Sequence, residues 1–175
     1  MNTNTQKRTI NQIIQTYTTL LHQRPFSEIT VQDICDAALI HRSTFYRYFE
    51  DKYDLLNQVV RLIGQSLYER SQSHRTLFEE LIEFVDENRQ FFIHVTTNDI
   101  NVDLFSELVK MSSNIMYANA ERMDDPLSQK IRNSPHPKIL CDFYSSGIIE
   151  VLKQWINKNY DYSKEKLIVI VNELF

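Results

Sequence analysis

Apolar residues recur along most of this chain at helical spacing. Ile10, Ile13, Ile14, Tyr17, Leu20 and Leu21 fall on one face of a helix running from about Lys7 to Gln23. Arg24 precedes Pro25, and the proline ring pushes it out of helical conformation. Thr30 opens the next helix, with Asp33 three residues later as a variant capping box. Ile34 and Ala37 are expected inward, and the pattern breaks over 38–41. A short helix follows at about 42–49. A longer one from about 52 to 70 carries Leu55, Leu56, Val59, Val60, Ile63 and Leu67, and Gly64 within it allows a bend or a close contact.

The helical pattern resumes from His74 through Leu77, Phe78, Leu81, Ile82 and Val85, with a break expected at Asn88. Phe91, Phe92 and Val95 form another apolar turn, and 97–101 is a polar joint. Leu104, Leu108, Met111, Ile115 and Met116 mark a further helix that fades near Pro126. Residues 124–137 look like a loop, ended by Ser134 as a cap and Pro135 at the first helical position. The most apolar helix then spans about 139–156, and Ser163 caps a last one through Leu167, Ile168, Ile170, Val171 and Leu174. The expected architecture is all-α, about nine helices and no sheet.

Composition supports this. Two glycines and four prolines in 175 residues leave little material for hairpins. No apolar run approaches the roughly 20 residues that span a bilayer, and the N-terminus lacks a signal-peptide core, so the expected location is cytoplasmic. Cys35 and Cys141 sit inside apolar helical patterns and read as small buried hydrophobes. The formal net charge of −4 argues against nucleic acid, but it is uneven: net +1 over residues 1–52 and −5 over the rest. The five histidines are scattered and show no metal-ligand spacing, so no metal or cofactor is expected. With two isolated glycines there is no phosphate-cradling loop, and no nucleophile–base arrangement stands out, so an enzyme is not expected.

The informative segment is Ile29–Leu55, ITVQDICDAALIHRSTFYRYFEDKYDL. It reads as two short helices on a tight connection. In the second, Phe45 and Phe49 lie one turn apart and are fit for burial, while the other positions suit a DNA groove. Arginine can pair bidentately with guanine, and hydroxyls can serve base edges. Arg and Tyr also bond phosphate oxygens, which sets register. Taken alone, such a helix is more often a solvated surface. The two-helix frame and the burial expected of Phe45 and Phe49, together with the resemblance that follows, turn the reading towards DNA.

Here the chain resembles the TetR family. T-V-x-D-I-x-x-A-A, then R-S-T-F-Y-R-Y-F, then D-K-x-x-L has that family's shape over about residues 7–60. The resemblance implies a homeodomain-like three-helix DNA-binding domain over 1–52 and a helical ligand-binding and dimerisation domain over 53–175, linked by the fourth helix. It implies that Gln32, Arg42, Ser43 and Tyr46 face bases, and that Thr30, Thr44, Arg47, Tyr48 and Lys52 touch the DNA backbone. Two positions depart from the pattern. Leu39 replaces the usual turn glycine, at a cost of about 1 kcal/mol if φ is positive. His41 replaces a small capping residue, and could itself reach a phosphate or simply face solvent.

The segment FYSSGIIEVLKQWI and the following SKEKL resemble a C-terminal pattern found in regulators of this family from low-GC Gram-positive bacteria. That implies a homodimer built on the last two helices, with Tyr144, Gly147, Ile148, Val151, Trp155, Ile168 and Val171 as interface candidates. The wide apolar stripe over 139–156 points the same way, although it could instead pack inside one subunit. The resemblance further implies a small, partly apolar effector. Its candidate contacts are Tyr68, Phe92, His94, Phe105, Met111, Met116, Tyr117 and Phe143, although residues of these types at helical spacing are more often plain core. The expected function is a repressor released by a ligand from a palindromic operator on double-stranded DNA. An activator of a neighbouring operon and an architectural DNA-binding protein remain the alternatives.

Overall fold

The computed structural model describes residues 4–71, 76–96, 104–122 and 124–174. Among these there are ten α-helices and no strand: α1 Asn4–Gln23, α2 Val31–Ala37, α3 Arg42–Phe45, α4 Lys52–Ser71, α5 Leu77–Glu87, α6 Arg89–Thr96, α7 Leu104–Ala120, α8 Pro126–Arg132, α9 Pro137–Ile156 and α10 Lys164–Leu174. A 3₁₀ turn, Phe26–Glu28, follows Pro25. The expected polar joint at 97–101 lies outside the described residues.

The N-terminal helices close on Ile13, Tyr17, Leu21, Phe26, Ile29, Ile34, Phe45, Leu55 and Leu56, all essentially inaccessible to solvent. That core continues without a gap into the C-terminal helices. α7 lies along α9, α8 packs on both, α10 lies on α5, and α6 is wedged between α1 and α9. Gly64 of α4 permits a close approach to α7: a Cβ placed there would sit 3.3 Å from Ile115 Cδ1. Asn88 ends α5 as expected, and the Ser163 hydroxyl accepts from the Lys166 amide at the start of α10.

Three expectations are corrected. Ala37 is exposed and Ala38 is the buried alanine, because the α2 pattern runs Ile34, Cys35, Ala38. The stretch 124–137 is not all loop. Asp125 caps α8, accepting from the Ser128 amide at 3.0 Å, with Pro126 in the first turn and Leu127 and Ile131 buried. The long helix α9 starts at Pro137 rather than Pro135, behind His136, whose side chain makes no capping bond. Ser134 serves the loop instead, its Oγ accepting from the His136 amide at 3.0 Å.

Candidate nucleic-acid interface and regulatory cavity

Thr30 and Asp33 form the reciprocal capping box of α2. The Thr30 amide donates to Asp33 Oδ2 at 2.8 Å, and the Asp33 amide donates to Thr30 Oγ1 at 3.1 Å. Arg24 adds an ion pair to Asp33 at 3.1 Å. These contacts hold the Asp33 carboxyl down at about 2, the Thr30 hydrogen bonds first and the Arg24 guanidinium after them.

α2 ends in a left-handed residue, Leu39, at φ 53. The Ile40 amide donates back to the Cys35 carbonyl at 3.0 Å, the six-to-one bond of a Schellman-type ending. Leu39 is 89% exposed, so no packing offsets its backbone strain. Gln12 of α1 closes the turn from below, its Nε2 donating to the Ala38 carbonyl at 2.7 Å. No periodic pattern marks this brace, since Gln12 is a polar residue beside an apolar stripe.

Beyond the turn, α3 itself is only one turn long and continues as tighter turns through Tyr48. Phe45 and Phe49 are buried, with ring centroids 5.6 Å apart, and pin the segment to the core. Arg42, Ser43, Tyr46 and Arg47 all face outward. Arg42 Nη2 donates to the Tyr46 hydroxyl at 3.2 Å, so the two side chains stand together on that face. Thr44 and Tyr48 are half-buried. Gln32 is exposed on α2 and donates to Asp36 Oδ1 at 2.7 Å. His41 is exposed at the start of α3 and makes no capping bond.

Lys52 stands apart from this group. Its Nζ donates to the Phe26 carbonyl at 3.0 Å and the Ile29 carbonyl at 2.8 Å, and sits 4.3 Å from the Phe26 ring centroid. The ammonium therefore ties α4 to the 3₁₀ turn. The Tyr17 hydroxyl donates to the Lys52 carbonyl at 3.1 Å, and burial pushes the Tyr17 pKa well above its ordinary value. Burial also raises the pKa of the Cys35 and Cys141 thiols, in keeping with apolar packing rather than thiolate chemistry.

A cavity of about 850 Å³ lies among α4 to α10. Its walls include Phe84, Phe91, Phe92 and Val95, Leu108 and Met116, and Ile148, Ile149 and Leu152. Of the seven effector candidates whose side chains are described, Phe92 and Met116 line it. Tyr68 is half-buried and Met111 buried, both away from its wall. Tyr117 and Phe143 are 50% and 70% exposed. His94 is turned to α1, its Nδ1 2.8 Å from the Leu21 carbonyl, which makes it the donor. The side chain of Phe105 lies outside the described residues. Sequence periodicity picked aromatic and Met positions but could not say which face of each helix meets the cavity.

The dimer candidates divide similarly. Ile148, Trp155 and Val171 are buried within the subunit, and Trp155 Nε1 donates to the Tyr162 carbonyl at 2.8 Å. Tyr144, Val151 and Ile168 are half-buried. Gly147 opens to space, with nothing within 4 Å of an added Cβ. The apolar residues that α9 leaves outside are Ile139 at 65% and Phe143 at 70%, in line with Gly147 at four-residue spacing.

Comparison with known proteins agrees with this architecture. Residues 13–59 match the family model described as bacterial regulatory proteins, tetR family, and residues 72–175 match a transcriptional regulator C-terminal region of the same group. A curated relative, the HTH-type dhaKLM operon transcriptional activator DhaS of Lactococcus lactis subsp. lactis (strain IL1403), is 29% identical over 98 residues. That match takes in 53% of this chain and only about half (51%) of the relative. A solved structure titled dihydroxyacetone kinase operon activator DhaS superposes with a TM-score of 0.56 at 20% identity, over 95% of this chain and 93% of that one, a likeness of fold. With its helix-turn-helix and its C-terminal region both matched, the chain belongs to the TetR family of transcriptional regulators.

Proposed function

We propose that this regulator is a homodimeric, sequence-specific repressor that leaves a palindromic operator when a small, mostly apolar effector fills the C-terminal cavity. A single observation carries the DNA half. Arg42, Ser43, Tyr46 and Arg47 form an exposed face on a segment whose opposite side is anchored by buried Phe45 and Phe49. In this reading Arg42, Ser43, Tyr46 and Gln32 read base edges. Arg47, Tyr48, Thr44 and the α2 N-terminus at Thr30 meet the phosphates, and Lys52 acts by holding the frame. Residues 1–52 serve as the DNA-binding unit and 53–175 as the regulatory unit. One such segment reads few bases. Two of them, about 34–36 Å apart in a dimer, read successive major grooves. For the second copy we propose the α9 face at Ile139, Phe143 and Gly147.

Effector binding shifts the equilibrium only through a difference in affinity between the DNA-bound and released forms. α6 is placed to convey it, with Phe91, Phe92 and Val95 on the cavity and His94 on the end of α1. A second reading, activation of a nearby operon, is favoured by the activator role in the name of the curated Lactococcus lactis relative and uses the same interface.

Fluorescence anisotropy against palindromes from the chain's own upstream region, at fixed salt, tests the proposal. Wild type is expected to bind in the nanomolar range. Arg42→Ala is expected to lose about 1–3 kcal/mol at one symmetric pair of positions. Weak, sequence-blind binding untouched by Arg42→Ala would sink it. A promoter–reporter fusion then separates repressor from activator by the sign of the change on deletion.

A further inference from the structure

Among the described residues, one buried side-chain hydroxyl beside the cavity has no hydrogen-bond partner. Ser145 of α9 is wholly buried, lines the cavity, and its Oγ has no hydrogen-bond partner among the described residues. Its neighbour Ser146 behaves as helical serines usually do, donating to the Asp142 carbonyl four residues back at 2.7 Å. A buried hydroxyl without a partner is costly, and cavities around such groups suit a ligand that supplies the missing bond.

The remaining wall sets the ligand's charge. Its described residues include no lysine, arginine or histidine, so a buried anion would have no counter-charge. Three carboxylates line it: Glu79, Asp124 and Asp125. All three are already engaged. Glu79 accepts from the Thr76 amide and from Asn172, Asp125 accepts from the Ser128 amide and hydroxyl, and Asp124 lies 3.6 Å from Arg132. They repel an anion, and their existing partners leave them poorly placed to take a cation.

We infer that the cavity takes an uncharged, lipophilic molecule bearing one hydroxyl or carbonyl, and that this group pairs with Ser145 Oγ. The inference rests on the effector reading of the cavity given above and adds the ligand's class and its anchoring residue.

The test titrates the full-length protein with four probes of one chain length: 1-decanol, 1-chlorodecane, decanoate and decylammonium. Binding is followed by the fluorescence of Trp155, the single tryptophan, one turn beyond cavity-lining Leu152. Decanol is expected to bind at least tenfold more tightly than decanoate or decylammonium. Ser145→Ala is expected to weaken decanol by roughly three- to tenfold, the worth of one neutral hydrogen bond, while leaving 1-chlorodecane unchanged. Either ion binding as tightly as decanol overturns the inference, as does a Ser145→Ala variant that treats both neutral probes alike. If neither neutral probe binds, the ligand class and the effector reading fall together. If decanol binds through Ser145 but leaves operator affinity unchanged, the ligand class stands and the effector reading falls.

Discussion

Leu39 carries a cost that its surroundings do not repay. A leucine at φ 53 loses about 1 kcal/mol relative to glycine, and at 89% exposure it recovers none of this through burial. Leu39→Gly is therefore expected to raise the unfolding free energy by about 1 kcal/mol in urea titration, with an unchanged m-value. A loss of stability would show that the side chain does something in the turn that its exposure conceals. Asp33 makes a pH-dependent contribution. Its carboxyl sits at about 2 in the folded chain, below its ordinary value of 3.8. Stabilisation by a carboxyl with a lowered pKa is complete above the unfolded value and lost as pH falls through the folded one. Asp33→Asn is thus expected to melt earlier than wild type near neutral pH, and the gap should close as pH falls from about 4 to about 2. A gap that stays constant over that range would assign the effect to shape rather than charge.

At the scale of elements, short helices depend on their ends. α8 has seven residues, too few to hold as an isolated helix. It is kept by Asp125 at its N-cap and by Leu127 and Ile131 underneath. Asp125→Ala is expected to cost about 1 kcal/mol in thermal or urea unfolding, the usual worth of such a cap. Because Asp125 also lines the cavity, the same variant tests whether α8 shapes that wall. α6 is the other short element with two duties. His94 donates to the Leu21 carbonyl in the last turn of α1, and the His22 and Phe91 rings lie 5.5 Å apart beside it. His94→Phe keeps a ring there but leaves the carbonyl unpaired, so it is expected to lose about 1 kcal/mol of stability. A fully neutral result would mean that α1 and α6 are held by ring packing alone.

For the whole molecule, the proposed reading of a palindrome needs two copies, and the α9 face is the surface proposed for the second. Phe143 at 70% exposure and Ile139 at 65% stand out from a helix whose other side is core. Phe143→Glu is expected to leave the subunit folded, with a circular dichroism spectrum and melting profile close to wild type. In sedimentation velocity it should run as a monomer and lose high operator affinity. A dimer that survives this change would move the interface to other exposed apolar positions, such as Val169 and Leu174 of α10. The polar cluster nearby, in which Lys138 reaches Ser113, Asn114 and Asp142 across α7 and α9, keeps this end of α9 in place within one subunit.

Local patterns decided a good deal before any folding was considered. Helix periodicity marked α1, α4, α7, α9 and α10, because one apolar face against a core leaves a 3.6-residue repeat in any sequence. The capping box at Thr30 and the burial of Phe45 and Phe49 were equally readable, since each depends on a few adjacent residues, whereas the strain at Leu39 was legible only through the resemblance to a family with glycine at that turn. Short caps were harder to place. The Asp125-Pro126 start of α8 and the Pro137 start of α9 are local signals, but Ser134-Pro135 competes with them and only packing decides between the three. Everything that depends on which side of a helix meets which neighbour came from tertiary structure. The turn of Lys52 towards two backbone carbonyls, the Gln12 brace, the placement of Phe92 but not Phe143 at the cavity, and the burial of Trp155 that leaves Phe143 outside are of this kind. A sequence shows that a face is apolar, but whether that face meets core, ligand or a second subunit is set by the relative rotation of helices far apart in the chain.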